Sequence, residues 1–319
     1  MSHPDRPPVI ALLSAVLDMR YLVPAFEAAS PGVALRLQPE LGPLDEIDAA
    51  VCWLPPAGLL ARLPRLQLVQ SVGAGIDHLT ADRDLPRQVP LCRITDPDMA
   101  AGMAAYVTWA VIHHQRQLGQ CLESARSAQW REPLVQAPHA HTVGIAGFGT
   151  LGRACALALR ALGYPVRGWR RHDDGQPAPE GVRLFHGEAE RAGFLAGCDS
   201  VVNLLPLTPQ THGLLDIRWF ALMRRGAQLI NVGRGDHLVE ADLLAALDQG
   251  QIGQATLDAF STEPLPPEHP FWSHPRIVVT PHIATRTAPA VIARQTLDHL
   301  AAVRAGRAAE VAVDLRLGY

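Results

Sequence analysis

The sequence contains no lysine: all 28 of its basic residues are arginine. Chemistry that needs a side-chain amine is therefore excluded. That removes Schiff-base aldolases, pyridoxal-phosphate enzymes and a Walker-A phosphate loop. Cysteine is scarce as well. The five cysteines (Cys52, Cys92, Cys121, Cys155, Cys198) are isolated, odd in number and form no C-x-x-C pair. Neither a disulfide framework nor a zinc site is expected from them, and a cytoplasmic setting is. The longest early apolar run, Val9 to Leu17, has no basic cluster before it and reads as a buried strand rather than a signal peptide. No stretch approaches the ~20 apolar residues of a membrane span. With 28 basic against 31 acidic residues, the formal net charge is −3, and no nucleic-acid or membrane partner is expected.

What is present is ample core material, 48% hydrophobic residues in a chain of 319, a length that suggests two domains. Short apolar runs (Val9–Leu13, Ala49–Trp53, Leu66–Ser71) alternate with helical segments such as Arg20–Ala29, which implies a parallel α/β sheet. Met99 to Arg126 lacks proline, is rich in Ala, Gln and Leu, and reads as one long helix. Beyond it, strand candidates recur at His141–Ala146, Tyr164–Trp169, Ser200–Leu205, Gln228–Val232, Gly253–Asp258 and Arg276–Thr280. Helices are expected at Leu151–Leu162, Ile217–Met223, Glu240–Leu247 and about Pro289–Arg304.

The strongest motif is Gly147-Phe-Gly149-Thr150-Leu151-Gly152, a G-x-G-x-x-G turn with an apolar strand before it and a helix after it. Gly147 permits the tight turn, Gly149 lets the backbone approach a pyrophosphate, and Gly152 allows close helix–strand packing. The phosphates would sit on amides at the helix start, beside Thr150 and Leu151. A cofactor lacking a 2′-phosphate needs an acid at the end of the next strand. That strand ends Trp169-Arg170-Arg171-His172, with no acid before Asp173. Arg170 and Arg171 are therefore expected to pair with a 2′-phosphate, which favours NADP(H) and leaves NAD(H) possible. A second glycine segment, Ser71-Val72-Gly73-Ala-Gly75-Ile-Asp77, lacks the third glycine; its amides suit a small anion. Three further segments begin at predicted strand ends: Asn231-Val232-Gly-Arg234-Gly-Asp, Leu257-Asp258-Ala-Phe-Ser-Thr-Glu263, and Thr280-Pro-His282-Ile-Ala. They bring an Arg, a Glu and a His to the edge where open α/β sheets bind ligands. The His113-His114 and His139-Ala-His141 pairs lack companion ligands, so no metal is expected.

Together these segments, with Cys52-Trp53-Leu-Pro-Pro, Asn203-Leu-Leu205-Pro206-Leu-Thr-Pro and the terminal Val313-Asp314…Gly318-Tyr319, resemble the D-isomer-specific 2-hydroxyacid dehydrogenases. The glyoxylate/hydroxypyruvate reductase branch is the nearest in pattern. The resemblance implies two Rossmann-like or flavodoxin-like parallel-sheet domains with a cleft between them. Residues 1–98 plus 286–319 would bind substrate, residues 99–285 would bind NADP, and the assembly would be a homodimer. It implies reduction of a small 2-oxo acid, with His282 as proton donor, Glu263 holding the imidazole, and Arg234 binding the substrate carboxylate. The amides of Val72 and Gly73 would take the other carboxylate oxygen, and Trp53 would cap the substrate. Asp258 would fix the nicotinamide carboxamide, while Leu205, Pro206 and Val232 would line the cofactor groove beside His282. A β-hydroxyacid dehydrogenase would need a catalytic lysine that the chain lacks. A non-catalytic NADPH-binding regulator, and a dehydrogenase acting on a different small 2-oxo acid, stay open as alternatives.

Overall fold

The computed structural model describes residues 6–173, 175–309 and 312–313; Asp314, Gly318 and Tyr319 of the terminal pattern lie outside them. The chain divides into two compact units, one of Met1–Pro97 with Arg286–Tyr319 and the other of Asp98–Thr285. Each is built on a parallel sheet.

The first unit holds β1 (Val9–Leu13), β2 (Ala34–Leu37), β3 (Ala49–Cys52), β4 (Leu68–Ser71) and β5 (Leu91–Cys92), with α1 (Val23–Ala29) and the short α2 (Asp77–Thr80). The strand order is β2-β1-β3-β4-β5. Strands β1, β3 and β4 are buried along their whole length, as strands covered on both faces must be. Val9, Ala11 and Leu13 point into a core with Ile47, Leu60 and Leu79. The C-terminal helix Pro289–Arg304 packs against α1 and β4. Asp48, fully buried, is a charged anchor of this unit. It accepts from Arg6 at 2.8 Å and the Val9 amide at 3.0 Å, and pairs with Arg304 at 3.0 Å.

The second unit contains α3 (Pro97–Gln115), α4 (Leu118–Arg126), β6 (Val143–Ala146), α5 (Thr150–Ala161), β7 (Val166–Arg170), β8 (Val182–His186), α6 (Gly187–Leu195), β9 (Ser200–Asn203), α7 (Ile217–Leu222), β10 (Ala227–Asn231), α8 (Glu240–Asp248), β11 (Ile252–Leu257) and β12 (Ile277–Val279). Its order is β12-β11-β10-β9-β6-β7-β8. The period of two along each strand serves both faces. Val201 and Leu229 face α6, α7 and α8, whereas their neighbours Val202 and Ile230 face α3 and α5. Strand order reverses between β6 and β9, and such a reversal opens a crevice at the carboxyl ends.

The single helix expected over Met99–Arg126 is two helices. The break lies at Gln117, whose φ of 51° is left-handed. Gln115, just before it, is held by a hydrogen bond from the Tyr164 hydroxyl (2.6 Å) and donates to the Gln136 carbonyl (3.1 Å). Gly119, just after it, lies against the His113 ring, where a Cβ would come within 3.4 Å. Tertiary contacts thus break a proline-free segment in which Gly119 is the one low-propensity residue near the break. Strands β2, β5 and β8 and helix α6 also lie outside the sequence expectations. They are short, and β8 is an edge strand with only Val182 and Phe185 buried. Among the described residues, no helix is long and apolar enough to cross a membrane.

Candidate active site

The glycine turn after β6 is shaped by two close approaches. Gly147 has φ +97°, and a Cβ there would fall 2.5 Å from the Leu204 backbone, across the crevice between β6 and β9. At Gly152 a Cβ would meet the Gly147 carbonyl at 2.2 Å, so α5 can start only if this residue has no side chain. Gly149 differs: a Cβ there would meet nothing within 4 Å. The turn therefore presents open space over the first residues of α5, and Gly149 as its N-cap makes no side-chain capping bond. The leading amides of a helix are unpaired and carry partial positive charge. Together these features fit a dinucleotide pyrophosphate over Gly149, Thr150 and Leu151. Leu205 and Val232 are buried nearby in sequence from the ends of β9 and β10. The Pro206 carbonyl accepts from Thr211 Oγ1 at 2.7 Å.

At the end of β7 the two arginines differ. Arg170 is nearly buried and donates to His186 Nε2 (3.1 Å), Asp173 Oδ1 (2.8 Å) and the Gln176 carbonyl (3.1 Å). Arg171 is exposed and reaches Thr208 Oγ1 at 3.2 Å.

Beyond β10, Arg234 stands on a buried polar frame. Its backbone N–H donates to His237 Nδ1 (3.1 Å) and its carbonyl accepts from Asn231 Nδ2 (3.0 Å). Asn203 Nδ2 donates to Asn231 Oδ1 and to His237 Nδ1, both at 2.9 Å. With Nδ1 accepting twice, the His237 proton belongs on Nε2, which faces the Pro206 carbonyl at 3.3 Å. Gly235 then packs directly on the 260–261 backbone, since a Cβ there would lie 1.8 Å from the Phe260 carbonyl carbon. That contact draws the Arg234 segment against the one carrying Glu263.

Glu263 accepts the Phe260 amide at 2.9 Å and faces His282 Nδ1 at 2.8 Å through Oε2. Burial by itself would raise the Glu263 carboxyl. The His282 hydrogen bond, the Phe260 amide and the charges of His282 and Arg234 outweigh it and hold the group below its ordinary value. The carboxylate accepts the Nδ1–H hydrogen bond, so proton exchange falls to Nε2. His282 itself has φ 53°, a left-handed conformation uncommon for residues other than glycine.

Asp258 clamps the turn that imposes that conformation. Its Oδ1 accepts Thr280 Oγ1 (2.6 Å) and the Ile283 amide (2.9 Å), and its Oδ2 accepts the Ala284 amide (2.8 Å). Since the Thr280 hydroxyl proton goes to Asp258, Tyr106 must donate in its bond to Thr280 Oγ1. Burial, above all, pushes the Tyr106 phenol up to about 12, so that proton stays in place. Tyr106, Asn203, Asn231, His237 and Thr280 thus support the site without having been read from sequence as side chains with roles. Only Asn203 and Asn231, each ending an apolar strand run, carried a signal.

In the first unit, Trp53 follows β3 and packs on the His78 ring with centroids 4.7 Å apart. The loop after β4 uses two of its own amides. The Val72 N–H extends the ladder to the Cys52 carbonyl (3.2 Å), and the Gly73 N–H donates to Ser71 Oγ (3.2 Å). Ser71 Oγ in turn donates to the Gly75 carbonyl at 2.9 Å. The amides of Ala74 and Gly75 have no acceptor among the described residues. Of the paired histidines, His141 bonds Ser200 Oγ (2.8 Å) and His114 bonds Gln254 (3.1 Å). Among the described residues, no three His, Cys, Asp or Glu side chains converge as a metal site.

Against known proteins, the profile described as "D-isomer specific 2-hydroxyacid dehydrogenase, NAD binding domain" matches residues 108–284. The chain belongs to that family of oxidoreductases. It is 43% identical over 280 residues to glyoxylate/hydroxypyruvate reductase A of Serratia proteamaculans, covering 85% of this chain and 88% of that protein. A D-isomer specific 2-hydroxyacid dehydrogenase from Xanthobacter autotrophicus Py2, solved with NADPH and MES, superposes with a TM-score of 0.90. Its identity is 39%, over 98% of this chain and 100% of that one. An NADPH-dependent glyoxylate/hydroxypyruvate reductase from Sinorhizobium meliloti, solved with NADP and sulfate, gives a TM-score of 0.90 at 35% identity. It too covers 98% of this chain and 100% of its own.

Proposed function

We propose that the protein reduces small 2-oxo acids, glyoxylate to glycolate and hydroxypyruvate to glycerate, with NADPH as the preferred cofactor. The observation that carries this reading is the Glu263–His282 pair, an imidazole held at Nδ1 by a carboxylate and set beside Arg234 in a dehydrogenase fold. When bound, the nicotinamide supplies the hydride. Every other task falls to side chains and amides of this chain.

His282 gives the Nε2 proton to the substrate carbonyl oxygen as negative charge develops there, and Glu263 stabilises the imidazolium before transfer. Arg234 pairs its planar fork with the substrate carboxylate and polarises the carbonyl, a bidentate role that an ammonium could not fill. The loop after β4 holds the second carboxylate oxygen; the expected donors, the amides of Val72 and Gly73, bond internally, so this role passes to the amides of Ala74 and Gly75. Trp53 covers the small side of the substrate. Asp258 accepts from the carboxamide while keeping the 280–284 turn in place, which gives it a positioning duty towards His282 as well.

The relatives crystallised with NADPH or NADP support the cofactor preference, and the Arg170-Arg171 strand end is its physical basis. We infer a homodimer in the cytoplasm. The exposed apolar segment with Trp130 (91% exposed) and Leu134 (81%) supports a protein partner at that face. A kcat/KM panel of 2-oxo acids with both cofactors tests the assignment. Glyoxylate and hydroxypyruvate with NADPH should lead. Absence of NADPH oxidation with every small 2-oxo acid would leave a cofactor-binding regulator as the better reading.

A further inference from the structure

Two adjacent arginines at a strand end invite the assumption that both grip the same phosphate. Their surroundings divide them. The Arg170 side chain is only 10% exposed, and its guanidinium is turned inward by hydrogen bonds to His186 Nε2, Asp173 Oδ1 and the Gln176 carbonyl. The carboxylate it meets is the exposed one: the Asp173 side chain is 68% exposed, and its Oδ1 also accepts the Gly175 amide at 3.0 Å. His186 Nε2 lies 3.8 Å from the same oxygen, and Glu190 accepts the His186 backbone amide. Arg153, from α5, ties the same loop through the Pro177 carbonyl at 3.0 Å.

Arg171 is in the opposite situation. Its side chain is exposed, and its bond is to a neutral hydroxyl, Thr208 Oγ1. Among the described residues no carboxylate pairs with it. Thr208 is itself fixed by Thr211, whose hydroxyl is anchored on the Pro206 carbonyl. The Arg171 fork thus reaches from the end of β7 to the segment after β9, on the rim of the crevice that the glycine turn opens. A neutral hydroxyl is readily exchanged for an anion, because a charge-assisted bond is about twice as strong as a neutral one.

We propose that Arg171 is the cofactor-discriminating donor and that Arg170 acts indirectly, by neutralising Asp173. This division rests on the NADP(H) preference argued above. An acid just past the second strand is the feature that accepts ribose hydroxyls and repels a 2′-phosphate. This chain has such an acid at Asp173, and Arg170 cancels its charge from within. Arg170 is then a positioning residue. Without it, Asp173 stands bare beside the ribose, and the site turns towards the cofactor that lacks the phosphate.

The test uses the full chain and two probes, adenosine 2′,5′-bisphosphate and AMP, with dissociation constants from titration calorimetry. Wild type should bind the bisphosphate more tightly. Arg171→Ala should weaken bisphosphate binding by roughly tenfold or more, about 1.4 kcal/mol, and leave AMP nearly unchanged. Arg170→Ala should weaken the bisphosphate and spare or improve AMP, and adding Asp173→Asn to it should restore most of the loss. If Arg170→Ala does not fold, judged by its thermal melt, Arg170→Gln with and without Asp173→Asn carries the same comparison. A double variant no better than the Arg170 single variant would overturn the masking role, as would an Arg171→Ala protein that keeps wild-type bisphosphate affinity. Equal affinity of wild type for the two probes would instead remove the NADP(H) preference itself, and this division with it.

Discussion

Each unit places a glycine loop at the carboxyl end of a buried parallel strand, and the two loops solve different problems. In the turn after β6, Gly147 and Gly152 are demanded by backbone approaches of 2.5 and 2.2 Å, and a Cβ at Gly149 between them would meet nothing within 4 Å. In the loop after β4, a Cβ at Gly73 would meet nothing within 4 Å. That loop is held by a side chain, Ser71, which binds one amide and one carbonyl of its own turn. The first loop is defined by what the backbone must avoid, and the second by which donors the hydrogen-bond ladder leaves over.

Substitutions in the two loops should therefore act in different ways. Gly152→Ala should have the largest effect. It forces α5 away from the Gly147 carbonyl, should cost about 1–3 kcal/mol of stability as an overpacked site, and should abolish the rise in melting temperature expected on adding NADPH to wild type. Ser71→Ala should act more mildly, raising KM for the 2-oxo acid several-fold while the NADPH dissociation constant holds. An effect on NADPH as large as that on KM would put the loop in the wrong role. Gly73→Ala should change stability by less than about 1 kcal/mol, as expected where a side chain fits without strain; a loss as large as that of Gly152→Ala would erase the contrast.

The smallest effect separates both backbone loops from the titrating site. The Glu263 carboxyl is held below its ordinary value in the folded protein, so its contribution to stability is present above the unfolded value and lost as pH falls through the folded one. The stability margin of wild type over Glu263→Gln in urea melts should therefore shrink as pH drops below about 4. A margin that grows on acidification would contradict the pairing with His282.

The same contrast explains how much the sequence could disclose. Glycines set by steric approach are legible, because their spacing between a strand and a helix leaves few structural options. Arg234, Glu263 and His282 are legible for a related reason: each follows an apolar strand run, and parallel strands present their carboxyl ends together. The donors of the Ser71–Gly75 loop were not. Whether Val72 or Ala74 keeps an idle amide depends on how far the β3–β4 register extends, and a run of small residues does not encode that. The break at Gln117 was equally hidden, since Tyr164, far along the chain, holds Gln115 and no proline marks the site. The frame under Arg234 was half visible. Asn203 and Asn231 stand out as polar ends of apolar strands, but nothing in the sequence marks His237 among 14 histidines as the buried acceptor for the Arg234 amide.

In the proposed reaction His282, held by Glu263, delivers the proton that completes reduction of a small 2-oxo acid. NADPH oxidation with saturating glyoxylate or hydroxypyruvate, compared between wild type and His282→Ala, tests it most directly when NADPH binding is titrated in the same samples. A fall in kcat of ~10²–10⁴ is expected, the range for loss of a general acid, with NADPH affinity changed little. Wild-type turnover by the variant would contradict it.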